Sequence, residues 1–148
     1  MPTSSAGVTM ASAEGWAVDT SVAIAALDAG HAAHSASLAA VRRYRPALAG
    51  HTAYEVYAVL TRLPGQLAVD PTDAAALIDR VFPDVVWLGP ADNQALRRRL
   101  AATGIVGGAV YDALVGEAAR VSGRRLLTRD LRARRTYDLV GVDHVLVG

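Results

Sequence analysis

Apolar positions along this chain switch between the two-residue period of strands and the 3.6-residue period of helices, and the switches lay out its elements. The run Trp16-Ala17-Val18-Asp19-Thr20-Ser21-Val22-Ala23 opens as a continuous apolar stretch and delivers a carboxylate where a strand gives way to a helix. The pattern predicts a strand over 16–19, a helix over about 21–29 ended by Gly30, and a helix over about 32–44 that closes in Arg42-Arg43-Tyr44-Arg45 before Pro46. A short strand over 47–50 leads into a helix over 51–63, whose apolar stripe is Val56, Val59, Leu60 and Leu63 and whose stop is Pro64-Gly65. Glu55, about 100° from Val56 and one turn before Val59, falls at the edge of that stripe, a half-buried position. Asp70-Pro71-Thr72-Asp73 reads as a cap, a proline at the first helical position and an acid at the third, opening a helix with Leu77, Ile78 and Val81 that Pro83 closes. There follow a strand over 85–88, a helix from an Asp92 cap to about 103, the small-residue loop Gly104-Ile105-Val106-Gly107-Gly108, and a helix over 109–121 with Asp112 in its first turn. A strand over 126–130 ends in Asp130, a short basic helix runs to about 139, and a last strand covers 142–147.

Strands alternating with helices of ten or more residues argue for an α/β fold, a parallel sheet covered on both faces. The 148 residues, 52% of them hydrophobic, suffice for one such domain over 16–148. Residues 1–15 are small and polar, carry Glu14, and lack the basic and apolar regions of a signal peptide, so they read as a loose leader with Met10 an alternative start. No apolar run reaches the roughly 20 residues a membrane span needs.

Charge changes the picture more than composition does. The formal net charge of +1 conceals a basic stretch from Asp92 to Arg135, where ten arginines face Asp92, Asp112, Glu117 and Asp130 for a local charge of +6, suited to a polyanion. All fifteen basic residues are Arg, which excludes a phosphate-loop lysine and Schiff-base chemistry. The absence of Cys excludes thiolate nucleophiles, disulfides and thiolate metal sites, and agrees with a cytoplasmic location.

In a parallel sheet all strand carboxyl ends share one edge, where open α/β folds bind ligands. Asp19 and Asp130, 111 positions apart, are brought there together. Asp112 starts a helix that precedes the strand ending at Asp130, and Glu55 lies one turn into the helix after strand 47–50, so both enter from the same edge. Four acids facing a basic surround suit a hard divalent cation, Mg²⁺ above all, and phosphodiester chemistry.

At these residues the chain resembles the PIN-domain nucleases, and within them the VapC toxins of type II toxin–antitoxin systems. The resemblance rests on Val18-Asp19-Thr20-Ser21, Tyr54-Glu55-Val56, Gly107-Gly108-Ala109-Val110-Tyr111-Asp112-Ala113-Leu114-Val115 and Leu126-Leu127-Thr128-Arg129-Asp130, in the family's order and spacing from about Trp16 to the end. It implies a PIN-like three-layer sandwich around a five-stranded parallel sheet, and Mg²⁺- or Mn²⁺-dependent endoribonuclease activity. It also implies an acidic site of Asp19, Glu55, Asp112 and Asp130, with the cation on Asp19, Asp112 and Asp130 and the Thr20 or Ser21 hydroxyl behind it. RNA contacts would fall to Arg129 and Arg132, and the partners would be a second copy of the chain and a VapB-type antitoxin blocking the site. Where many relatives carry a further acid shortly after Asp130, this chain has Leu131-Arg132, which leaves a second metal ion less supported.

Blander accounts stand beside each of these residues. An isolated Asp at a strand-to-helix junction is more often an N-cap than a ligand. His31, His34 and His51 lack a carboxylate or Cys companion and read as surface or capping residues rather than a metal set. Arg97-Arg98-Arg99 span about 200° of helix and suit a solvated face, Glu117 points away from Asp112, Gly116 leaves room beside Asp112, and Arg129 alternates to the side opposite Asp130. A haloacid-dehalogenase-like phosphatase fails for want of D-x-D-x-T and of any Lys. A non-catalytic RNA- or protein-binding module with the same fold remains the rival, separated by metal-dependent cleavage.

Overall fold

Five strands pair in parallel in the order β3-β2-β1-β4-β5 in a computed structural model, which describes residues 15–148. They are β1 (Gly15–Val18), β2 (Ala47–Ala49), β3 (Val85–Val86), β4 (Arg124–Thr128) and β5 (His144–Leu146). Seven α-helices connect them: α1 (Thr20–Leu27), α2 (His34–Tyr44), α3 (Thr52–Thr61), α4 (Pro71–Val81), α5 (Pro90–Thr103), α6 (Ala109–Val121) and α7 (Arg134–Val140). Gly15, read from the sequence as the last leader residue, opens β1; residues 1–14, with Met10, lie outside the described residues.

Side chains alternate across each strand, and this alternation sorts the core into two. Val18, Leu48 and Leu127 face one layer with Val22, Val41, Val56, Leu60, Ile78 and Phe82 from α1 to α4 and its C-terminal residue. Their neighbours Ala17, Ala49 and Leu126 face the other, with Leu96, Ala113, Val115, Tyr137 and Val140 from α5 to α7. The result is the expected three-layer sandwich. Each fully buried Val or Leu contributes roughly 1.5–3 kcal/mol. The small Ala17 and Ala49 let the second layer approach the sheet closely.

Local chemistry sets the boundaries. Asp70 caps α4 as expected, accepting from the Thr72 amide ahead of Pro71 at the first helical position. Asp92 does not cap α5: the helix begins at Pro90 after Gly89, because proline's fixed φ is pre-set for a first turn, and Asp92 sits inside that turn. β4 ends at Thr128 rather than Asp130, since the Asp130 amide turns back to donate to Thr128 Oγ1 instead of continuing the ladder. Residues 28–33 make turns in place of helix, held by Asp28 Oδ1 on the Gly30 amide and by His31 Nδ1 on the Ala33 amide. Among the described residues no helix is long and apolar enough to cross a membrane.

Candidate active site

The strand order reverses direction at β1, whose neighbours are β2 and β4, and this switch point opens a crevice at the carboxyl edge. The Asp19 amide donates to the Leu127 carbonyl across the β1–β4 seam, so the residues that follow both strands emerge side by side. A pocket of about 270 Å³ lies there, lined by Asp19, Thr20, Ser21, Glu55, Asp112, Val115, Asp130 and Tyr137. All four acids singled out in the sequence reach it, as do both hydroxyl residues.

Asp19 is 4% exposed, and capping a helix does not keep it from lining the pocket. It is the N-cap of α1, with Oδ1 accepting from the Val22 amide at 3.3 Å, and it forms the floor of the pocket. Oδ1 also accepts from Ser21 Oγ at 2.6 Å, while Oδ2 accepts from Thr128 Oγ1 and from Tyr137 Oη at 2.8 Å. Burial raises its pKa, and the hydroxyls of Ser21, Thr128 and Tyr137 pull the other way. The Tyr137 phenol is in turn held far above its usual range, by burial first and then by the charge of Asp19. Ser21 Oγ also accepts the Arg129 amide at 2.8 Å, tying α1 to the loop after β4.

Asp112 projects from the first turn of α6, with a pKa pushed up to about 6 by partial burial and then by the charges of Asp130, Asp19 and Glu55. Asp130 closes the turn after β4, its Oδ1 accepting from the Arg132 amide at 2.9 Å. Glu55 lies at the edge of the apolar stripe, its side chain 44% exposed where the stripe opens onto the crevice, close to the half-buried position expected. It is held all the same: Thr20 Oγ1 donates to its Oε1 at 3.1 Å, and His51 Nε2 lies 2.8 Å from the same oxygen.

His51 is therefore a rim residue facing a carboxylate, and its ring packs edge-on against Tyr111 at 5.7 Å. His34 donates to the Ala25 carbonyl, a local structural contact as expected. β4 ends one residue before Arg129, so strand alternation does not govern it. It is half-buried in the loop after β4, and its Nε is buried with no hydrogen-bond partner among the described residues. Arg132 is exposed. Glu117 points away from the pocket, as its spacing requires, into an ion-pair cluster with Arg120 and Arg99. Arg99 thereby leaves the solvated face read for 97–99, whereas Arg97 and Arg98 stay exposed. Gly116 makes room for α7 rather than for Asp112: a Cβ there would stand 2.9 Å from Val140 Cγ2 and 3.1 Å from Tyr137 Cδ1. Thr128 and Tyr137 were not legible as site features, for each depends on a partner elsewhere in the chain, whereas the His51 contact with Glu55 is local, at i,i+4, and the spacing could have shown it.

Among the described residues no three His, Cys, Asp or Glu side chains form a ready-made metal cage. The pocket nonetheless fits a hydrated hard cation. Its donors are all oxygens, and Asp19, Asp112 and Asp130 have no cationic side chain paired with them among the described residues. Mg²⁺ typically keeps several waters and needs only one or two carboxylates directly.

Comparison with known proteins agrees with this geometry. The PIN domain family matches residues 17–139. Ribonuclease VapC27 of Mycobacterium tuberculosis (strain ATCC 25618 / H37Rv) is 48% identical over 131 residues, spanning 88% of this chain and 95% of that protein. Ribonuclease VapC40 of Mycobacterium tuberculosis (strain CDC 1551 / Oshkosh) is 41% identical over 132 residues, 88% of this chain and 98% of that protein. With the match covering most of the chain, and the parallel sheet and its carboxyl-edge crevice in place, the chain belongs to the PIN-domain family, in its VapC branch.

Proposed function

We propose that this chain is a divalent-cation-dependent endoribonuclease, the toxin of a type II toxin–antitoxin pair, acting in the cytoplasm and silenced by a VapB-type antitoxin. The observation that carries the reading is the convergence of Asp19, Glu55, Asp112 and Asp130 on one pocket, where among the described residues only Glu55 faces a basic side chain, His51. Relatives named ribonucleases at 41–48% identity support the substrate class.

Asp19, Asp112 and Asp130 would hold Mg²⁺, or Mn²⁺ in its place. Such an ion, when bound, polarises a phosphoryl oxygen and offsets charge that builds up in the transition state. Glu55 has the complementary task. Its Oε1 is fixed by Thr20 and faces His51, and its Oε2 makes no protein hydrogen bond among the described residues, leaving that oxygen to orient a water and accept its proton. Arg132, exposed in the turn after Asp130, and the partly exposed Arg129 are the candidates to meet the phosphates flanking the cut. The homodimer implied by the family resemblance has apolar surface to use. Exposed Tyr54, Tyr57, Val85 and Trp87 line a groove of about 420 Å³ on α3, α4 and β3.

The test is cleavage of a fluorogenic single-stranded RNA by purified protein. Activity with Mg²⁺ or Mn²⁺ is expected to stop on adding EDTA, and Asp112→Asn or Asp19→Asn to lose roughly 10³-fold, several kcal/mol of lost stabilisation. Full activity in both variants would sink the proposal in favour of a non-catalytic module. Induction of the wild type alone is expected to arrest growth, and co-expressed antitoxin to relieve it.

A further inference from the structure

The two oxygens of Asp19 are held in different ways. Oδ2 takes two hydroxyl donors that are themselves buried: Thr128 from the end of β4, and Tyr137, 1% exposed, from the middle of α7. Oδ1 takes the Ser21 hydroxyl at 2.6 Å, from a partly exposed side chain on the pocket wall, and the Val22 amide at a long 3.3 Å. A carboxylate has about four lone-pair positions, and all four of Asp19's are engaged. A cation reaching Asp19 must therefore share or displace one donor. Oδ1, with one long bond and one donor at the pocket surface, is the oxygen that can give way, and Oδ2, whose two donors are both buried, is the anchor.

We infer that Tyr137 is a positioning residue for the cation site: its hydroxyl fixes Oδ2 of Asp19 so that Oδ1 is the oxygen presented to the metal. Nothing in the motifs marks it, since it lies 118 positions from Asp19 and touches the pocket only through the fold. Its place is prepared by packing. Gly116 on α6 leaves the space that the ring occupies, and the His144 ring lies 5.7 Å away on its other side. A second feature agrees with a role beyond filling the core. A buried phenol beside a buried carboxylate is a paired polar contact in an otherwise apolar layer, where a Phe would pack as well.

This inference rests on the cation-dependent reading of the pocket, and the experiment keeps the two apart. Mn²⁺ binding is measured at 20 °C, without RNA, from the fall of the free-ion electron paramagnetic resonance signal, in wild type, Tyr137→Phe and Asp112→Asn. Wild type is expected to bind, Asp112→Asn to lose binding, and Tyr137→Phe to bind about tenfold more weakly, at the low end of what removing a hydrogen bond behind a ligand does. A Tyr137→Phe affinity within twofold of wild type overturns the positioning role while leaving the metal site intact. Absence of binding in wild type overturns both. Should Tyr137→Phe fail to fold, the wild type still decides: the ¹³Cζ resonance of labelled Tyr137 is expected to move on adding Mg²⁺, saturating with the metal, and an unmoved resonance rejects the link. In RNA cleavage at saturating Mn²⁺, Tyr137→Phe is expected to lower kcat with KM for RNA unchanged; a rise in KM alone counts against it.

Discussion

Asp112 and Glu117 stand five residues apart on one helix, and they have opposite electrostatic fates. Asp112 looks into a crevice where its neighbours are other acids, and its pKa is pushed up to about 6. Glu117, 2% exposed, takes Arg120 through Nε at 2.7 Å and Nη2 at 2.9 Å, and Arg99 through Nη1 at 2.8 Å. Its carboxyl is held below the usual range, chiefly by the hydrogen bonds from Arg120, with burial opposing. Arg99 also donates to the Val140 carbonyl, so this cluster ties α5, α6 and the end of α7 together. One face of α6 uses its charge to hold the fold, and the other leaves its charge unpaired in a crevice. A paired acid reads as structural and an acid perturbed by other acids in a cleft as the functional candidate, without reference to a motif.

Substitutions should break this contrast unevenly. Glu117→Gln leaves two guanidiniums without their anion and should destabilise by about 2–3 kcal/mol in urea unfolding. Loss of one partner of a buried pair costs roughly 3–5 kcal/mol, and the half-exposed arginines can partly return to water. A change below about 0.5 kcal/mol would mean the cluster is no more than surface decoration. Gly116→Ala should cost about 1–2 kcal/mol by crowding Val140 and Tyr137, within the usual range for overpacking. It should also weaken Mn²⁺ binding through the displaced Tyr137 ring. Destabilisation with unchanged affinity would uncouple the packing from the site.

The smallest effect sharpens the comparison most. With no metal, Asp112 binds more protons folded than unfolded, since its folded pKa of about 6 exceeds the ordinary value of 3.8. Asp19 shifts in the same direction through burial. Their contribution to stability is therefore full at pH below about 4 and is lost as pH rises towards 6 and beyond. Asp112→Asn should flatten that slope and leave the melting temperature at pH 7.5 unchanged or slightly higher. Millimolar Mn²⁺ should raise the melting temperature of wild type and move the variant little. A steeper slope in Asp112→Asn would contradict the repulsion drawn here.

The sheet and the acids were legible because the signals that place them are local. A strand-end Asp, a helix-first-turn Asp and the parallel arrangement together put Asp19, Asp112 and Asp130 on one edge without knowledge of any contact. Glu55 was legible at the stripe edge, although helical spacing shows which way a residue faces but not whether a crevice or a neighbour lies there. The misplaced Asp92 cap came from weighing an acid above Pro90, whose fixed φ outranks it. Arg99 was lost among three consecutive arginines because its partners, Glu117 and the Val140 carbonyl, are 18 and 41 positions away. Tyr137 and Thr128 were invisible for the same reason: an apolar-layer Tyr and a strand Thr become site residues only when β1, β4 and α7 meet.

That meeting also fixes when the pocket exists. Its floor comes from Asp19 and one of its walls from Tyr137, 118 positions further along the chain. The β1–β4 pairing that joins them closes a loop of more than a hundred residues, a contact that forms late because its ordering entropy must first be met. A chain still being elongated holds Asp19 and Glu55 but neither the fourth acid nor the phenol beneath the first.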